Sequence, residues 1–118
     1  MEKYNYGVKI NRIVDGDTID VMIDLGFNTH VKRRIRMYGI NAPESRTRDL
    51  EEKARGLASK ERLTEMLEDK DIIMKSHGKG KYGRVLGELF VEKENEYISV
   101  NDLLVKEGFA EEYFGGKR

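Results

Sequence analysis

The opening third of the chain is its most constraining part, because its apolar side chains recur at every second position and not every third or fourth. Val8 and Ile10 alternate with polar partners; Ile19, Val21 and Ile23 alternate with Asp20, Met22 and Asp24. Period two is the mark of a strand with one face buried. Asp15-Gly16 between these runs is a turn signal, so the spacing predicts a β-hairpin. A third run puts Val31, Arg33, Ile35 and Met37 on one face and Lys32, Arg34, Arg36 and Tyr38 on the other. Arg33 is the misfit on the apolar face and is assigned to the strand's edge.

After Pro43, the only proline, the period changes. Leu63, Met66 and Leu67 recur at helical spacing with the small residues Gly56 and Ser59 on the same face, predicting a helix from about Leu50 to Glu68. Ile72 to Lys75 reads as a short strand and Gly78 to Gly83 as a basic loop. Arg84 to Val91 reads as a further strand, turning at Glu92 to Glu96 into Tyr97-Ile98. Ser99, with Asp102 three residues on, resembles a capping box before a short helix through Val100, Leu103 and Leu104 that Gly108 closes. The result is α+β, with five strands and two helices. A chain of 118 residues can bury a single core, so one domain over residues 1–118 is expected.

Composition narrows the chemistry. With no cysteine, any metal must be held by oxygen or nitrogen, and His30 and His77 have no partner at zinc-ligand spacing. The 22 basic and 22 acidic side chains cancel, which is not the overall basicity of a passive nucleic-acid coat. Their distribution is uneven. Cations gather at Lys32, Arg33, Arg34 and Arg36, at Arg46 and Arg48, and at Lys75, Lys79, Lys81 and Arg84; carboxylates gather at Asp15, Asp17, Asp20 and Asp24. An anion-binding face beside an acidic pocket is one reading, and ordinary solvated surface the other. Gly78, Gly80 and Gly83 lack the strand and helix order of a nucleotide-binding P-loop. Met1 to Val8 holds no apolar run long enough for a signal peptide or membrane helix, so a cytoplasmic protein with no membrane partner is expected.

Three short motifs follow in order: Asp15-Gly16-Asp17-Thr18, Gly39-Ile40-Asn41-Ala42-Pro43-Glu44 and Lys81-Tyr82-Gly83-Arg84. Singly, each reads as a turn or loop. Together, over about Val8 to Ala110 and with Arg36 eight residues before Glu44, they resemble the staphylococcal nuclease family, whose pattern is Asp-Gly-Asp-Thr, an arginine strand running into Asp-x-Pro-Glu, and a later Tyr-Gly-Arg. The resemblance implies a five-stranded OB-fold β-barrel with two to three packed helices. It also implies a calcium-dependent endonuclease that hydrolyses DNA and/or RNA to 3′-phosphate products. A preference for single strands and a monomeric state are expected with it.

Carried over by position, the resemblance makes Arg36 and Arg84 the phosphate-binding pair and Glu44 the residue near the attacking water. Asp17, Asn41 and the backbone carbonyl of Ala42 become the calcium ligands, with Asp15 supporting them. Lys81 and Tyr82 fall near a nucleotide's phosphate and base, and Tyr113 lies close to, but out of register with, the family's stacking tyrosines; a packed C-terminus explains Tyr113 and Phe114 equally well. The residue types suit these roles. Guanidinium forks stabilise charge growing on phosphorus without losing a proton, a carboxylate orients or deprotonates water, and a hard cation prefers oxygen ligands. Two departures stand out. Asn41 replaces a calcium-binding aspartate, which predicts weaker calcium binding or an altered metal preference, and Gly80 replaces an acid. The chain ends at Arg118, before the position of the third helix of the family's best-known member, so that region is expected to be replaced or absent. The alternative reading is a catalytically weak OB module that binds single-stranded nucleic acid.

Overall fold

The computed structural model describes residues 5–79 and 84–113. Its first three strands are those the alternation predicts: β1 (Asn5–Asp15), β2 (Thr18–Asp24) and β3 (His30–Met37), consecutive and antiparallel. Ile19, Val21, Ile23, Ile35 and Met37 are buried, whereas Lys32 and Arg34 are exposed. Arg33, the misfit in the pattern, is exposed as well, its guanidinium folded back to donate to the Lys32 carbonyl at 2.7 Å. A two-residue strand β4 (Ile40–Asn41) follows, then α1 (Leu50–Leu67), within one residue of its predicted span. Asp49 caps α1 by accepting from the backbone N–H groups of Glu51 and Glu52, two of the donors a helix start leaves unpaired.

The second half departs further from expectation. β5 (Ile72–Lys79) runs past the predicted end at Lys75 and includes Gly78, which the sequence places in a loop. Gly78 is left-handed (φ 98°), and the pairing slips between Ser76 and Lys79, so the strand continues through an irregularity that periodicity cannot register. β6 (Val85–Lys93) and β7 (Glu96–Ser99) form a hairpin whose Glu94 and Asn95 are both left-handed, the conformation a tight two-residue turn demands. α2 (Val100–Lys106) starts at Ser99, whose hydroxyl accepts from the Asp102 N–H at 3.3 Å, and the chain leaves it through left-handed Gly108. β8 (Glu111–Glu112) returns to pair with β4.

The strands close into a barrel. The order β3-β2-β1-β5-β6 becomes a ring because β3 also pairs with β6, in parallel, through Ile35↔Val85, Arg36↔Leu86 and Met37↔Gly87; β7 extends β6 outside it. The result is α+β, a closed five-stranded barrel of OB type with two helices among the described residues, and the expectation of five strands counted this ring without β4, β7 and β8 as separate elements. Leu63, Met66 and Leu67 of α1 and Val100 and Leu104 of α2 join the barrel's interior in one core. Gly87 fits the seam for want of a side chain: a Cβ there would stand 2.8 Å from the Met74 sulfur and 2.9 Å from Cγ2 of Ile35.

One buried polar residue locks this closure. Asn101, 1% exposed, accepts from the Leu89 N–H at 3.1 Å and donates to the carbonyls of Tyr38 at 2.8 Å and Gly87 at 3.1 Å. Its amide therefore ties α2 to both sides of the seam by bonding backbone groups of Tyr38, Gly87 and Leu89.

Candidate functional site

The site begins at the β1–β2 turn. Gly16 there is not left-handed, so the turn does not need glycine for its backbone. What needs it is proximity: a Cβ would lie 2.7 Å from Cβ of Ser59 on α1 and 3.0 Å from that of Ala42. The helix and the segment after β4 thus press directly onto the turn. Both turn aspartates take hold of that segment. Asp15 accepts from the backbone N–H of Ser45 at 3.2 Å and from its hydroxyl, and Asp17, only 8% exposed, accepts from the Ala42 N–H at 2.7 Å and from the Thr18 hydroxyl at 2.9 Å. The sequence reading of Asp15 as a support fits this contact.

Arg36 leaves β3 beside this turn. Its Nη1 lies 3.3 Å from the Asp17 carboxylate and donates to the carbonyls of Asp17 (3.4 Å) and Met37 (3.3 Å), while Nη2 donates to Oδ1 of Asn41 at 2.7 Å. Asp17, Arg36, Asn41 and Ala42 therefore form one linked cluster. Arg84 stands immediately before β6, one residue ahead of Val85, which the seam register sets opposite Ile35, while Arg36 lies opposite Leu86. Glu44 is exposed, and its placement is set by its backbone. The Glu44 N–H donates to the Glu52 carboxylate at 3.4 Å, and its carbonyl lies against Gly56 of α1, where a Cβ would come within 2.3 Å of it. Tyr113 is anchored by its N–H to the Gly39 carbonyl at 2.8 Å and lines, with Arg36, Tyr38 and Leu86, a small cavity of about 180 Å³. Lys81, Tyr82, Gly80 and Phe114 lie outside the described residues.

Next along β3, Arg34 chelates Asp20 of β2 through Nε at 2.8 Å and Nη2 at 3.1 Å. That fork, before any longer-range attraction, holds the Asp20 carboxyl below the ordinary aspartate value and raises the Arg34 guanidinium.

For a cation, the oxygens this segment offers are the carboxylate of Asp17, the amide oxygen of Asn41 and the backbone carbonyl of Ala42, whose N–H bonds Asp17. All are oxygens, the kind a hard cation takes, and they carry a single formal negative charge beside the Arg36 guanidinium. Among the described residues no three Asp, Glu, His or Cys converge. The set fits calcium in kind, with fewer charges than calcium sites usually offer.

Sequence reasoning missed Ser45, Glu52 and the contacts of Gly16 and Gly56. Gly56 and Ser59 were visible as small residues on the buried face of a helix; what they make room for was not.

An OB-type barrel carrying this arginine and carboxylate cluster defines a class, and similarity to known proteins defines the family. The profile described as "Staphylococcal nuclease homologue" matches residues 34–118, and the chain belongs to that family. It is 31% identical over 110 residues to protein ParB of Escherichia coli, covering 89% of this chain and 56% of ParB. It is 28% identical over 110 residues to a micrococcal nuclease of Shigella flexneri (89% and 57%), and 28% identical over 102 residues to an uncharacterized endonuclease of Escherichia coli (86% and 58%). The chain thus spans between 56% and 58% of the length of these relatives.

Proposed function

We propose that this chain is a nuclease: a calcium-dependent endonuclease that hydrolyses phosphodiester bonds of DNA and/or RNA, leaving 3′-phosphate ends. The observation that carries this reading is the convergence on one guanidinium, Arg36, of the Asp-Gly-Asp-Thr turn and the Asn41-Ala42 segment. In this reading Arg36 and Arg84 grip the phosphate oxygens from the two strands of the seam and stabilise the charge that grows on them as water attacks. Glu44, an exposed carboxylate two residues after Ala42, orients that water and accepts its proton in this reading. Asp17, Asn41 and the Ala42 carbonyl would hold calcium, which when bound neutralises phosphate charge and acidifies water. Tyr113, beside Arg36 in the small cavity, offers a ring for a base, and the residues Lys81 and Tyr82 contact the neighbouring nucleotide. A single strand suits such stacking, because its bases are free to splay. The protein is proposed to act as a cytoplasmic monomer. In the described residues no helix is long and apolar enough to cross a membrane.

A second reading, a weakly catalytic module that holds single-stranded nucleic acid, is favoured by one observation: the oxygen of Asn41 is occupied by Arg36 and brings no charge to a cation. A pure binder, however, has no use for Glu44 near the phosphate, where its charge repels the ligand. Cleavage of denatured DNA and of RNA, with calcium or with chelator and beside a Glu44→Ala control, separates the two. Calcium-dependent cleavage lost in the control is expected; binding without cleavage at any calcium level would establish the module.

A further inference from the structure

The site above uses one end of β3, but the basic surface continues. Lys32, Arg34 and Arg36 occupy alternate positions of that strand, so they leave one face of the sheet at steps of roughly 6.5–7 Å. Beside them lies a shallow concavity of about 320 Å³ lined by four cations, Arg12, Lys32, Arg33 and Arg34, and one carboxylate, Asp20. Asp20 does not cancel them. Its bond to Arg34 uses two of that guanidinium's N–H groups, leaving three on a side chain that is 47% exposed. The pair thereby holds the fork in place while the remaining donors face solvent.

Beyond His30 the strand meets the β2–β3 turn, where Phe27 is fully exposed (101%) and left-handed (φ 55°). A bulky side chain pays in backbone strain for that conformation and gains no burial from it. Gly26 and Asn28, also left-handed, with the Thr29 N–H bonded to the Gly26 carbonyl at 2.9 Å, fix the turn that presents the ring. Neither the charge row nor the ring contributes to the core.

We propose that the outer face of β3, from Arg36 to Phe27, is a binding track for single-stranded nucleic acid, with successive phosphates on Arg34 and Lys32, Arg12 flanking them across Asp20 on β1, and a base stacked on Phe27. The proposal rests on the nuclease reading for its starting point, since Arg36 marks the phosphate from which the track leads away. A row of cations continuous with a phosphate site and ending at an exposed aromatic ring is the combination that holds single strands without regard to sequence. An acidic protein surface would satisfy the cations but leave the ring unexplained. From Arg36 to His30 the strand covers about 20 Å, so the track spans several nucleotides and engages only substrates longer than a dinucleotide.

The test measures binding, in chelator so that nothing is cleaved, of fluorescent oligothymidylate about ten nucleotides long and of a thymidine dinucleotide across a salt series. The variants are Arg12→Gln/Lys32→Gln/Arg34→Gln and, separately, Phe27→Ala, each checked by thermal melting; Lys32→Gln alone replaces the triple variant if that melts early. The triple variant is expected to lose about tenfold or more in affinity for the long strand, far more than for the dinucleotide, and to flatten its log–log salt slope by about 2. Phe27→Ala is expected to weaken the long strand roughly tenfold with its salt slope kept. Wild-type affinity and slope in the triple variant would overturn the track, and so would equal losses for both ligands. An unaffected Phe27→Ala would remove the ring from it. Wild-type protein that binds the long strand in this way yet never cleaves would overturn the nuclease reading and leave the track standing.

Discussion

Two arginines on one strand, two residues apart, each pair with an aspartate, one on β2 and one in the turn before it, and the two pairs behave as different devices. Arg34 and Asp20 sit directly across from one another, with side chains 47% and 29% exposed. Arg36 lies opposite Thr18, reaches back to Asp17 in the turn, and the side chains of that pair are only 18% and 11% exposed. The exposed pair has the better fork geometry, yet water and salt screen it, so it is worth little to stability. The sheltered pair has the poorer geometry, but water screens it less, and Asp17 also holds Ala42 while Arg36 also holds Asn41. Local dielectric, more than bond length, separates a surface ornament from a working contact.

Substitution should expose the contrast most strongly in catalysis. Arg36→Ala is expected to lower the cleavage rate by roughly a hundredfold to a thousandfold, whereas Arg34→Ala should act mainly through affinity for long strands. Single-turnover cleavage of matched, folded variants reads both, and comparable rate losses would erase the distinction. Stability should divide the acids in the same sense, by a smaller margin. Asp17→Asn removes a carboxylate 3.3 Å from a sheltered guanidinium and should cost about 2–3 kcal/mol in urea unfolding, against less than about 1 kcal/mol for Asp20→Asn.

Smaller again is the effect of adding charge. Asn41→Asp places a second carboxylate beside Arg36 and should tighten calcium binding several-fold in a calorimetric titration; an unchanged titration would remove Asn41 from the ligand set. The smallest effect is one of pH. Because Arg34 lowers the Asp20 carboxyl in the folded state, the pair's stabilisation is present above the unfolded aspartate value near pH 4 and is lost as pH falls through the lower folded value. Glu107, held down by the Arg62 guanidinium at 2.6 Å, carries the same sign. Melting below about pH 4 should therefore fall less steeply in Asp20→Asn than in the wild type.

Strand alternation and helix period, being local, were legible in the first 67 residues except at the two-residue β4, which the sequence reads as loop. So was the cluster of Asp17, Arg36, Asn41 and Ala42, because short motifs carried it. Illegible were the features made by approach between distant segments. Gly16 looked like a turn glycine and is a contact glycine; Gly56 looked like an unremarkable small helical residue and is the seat of the Glu44 backbone. Asn101, which no sequence pattern singled out, is the bolt across the barrel. Each depends on what lies opposite in space, which periodicity does not encode. Gly78 misled for the reverse reason, since a glycine among lysines signals a loop by composition while the strand passes through it.

The parallel join between β3 and β6 has a further consequence, in time. Its partners, such as Ile35 and Val85, are about fifty residues apart, whereas the β1–β2 hairpin closes over two. Joins of long loop closure form late and yield early, because their entropy is recovered only when the rest of the chain is in place. Arg36 and Arg84 stand on the two sides of that join. Competence should therefore arrive with the last stitch of folding and depart with the first local opening, at denaturant concentrations where most of the backbone amides still resist exchange.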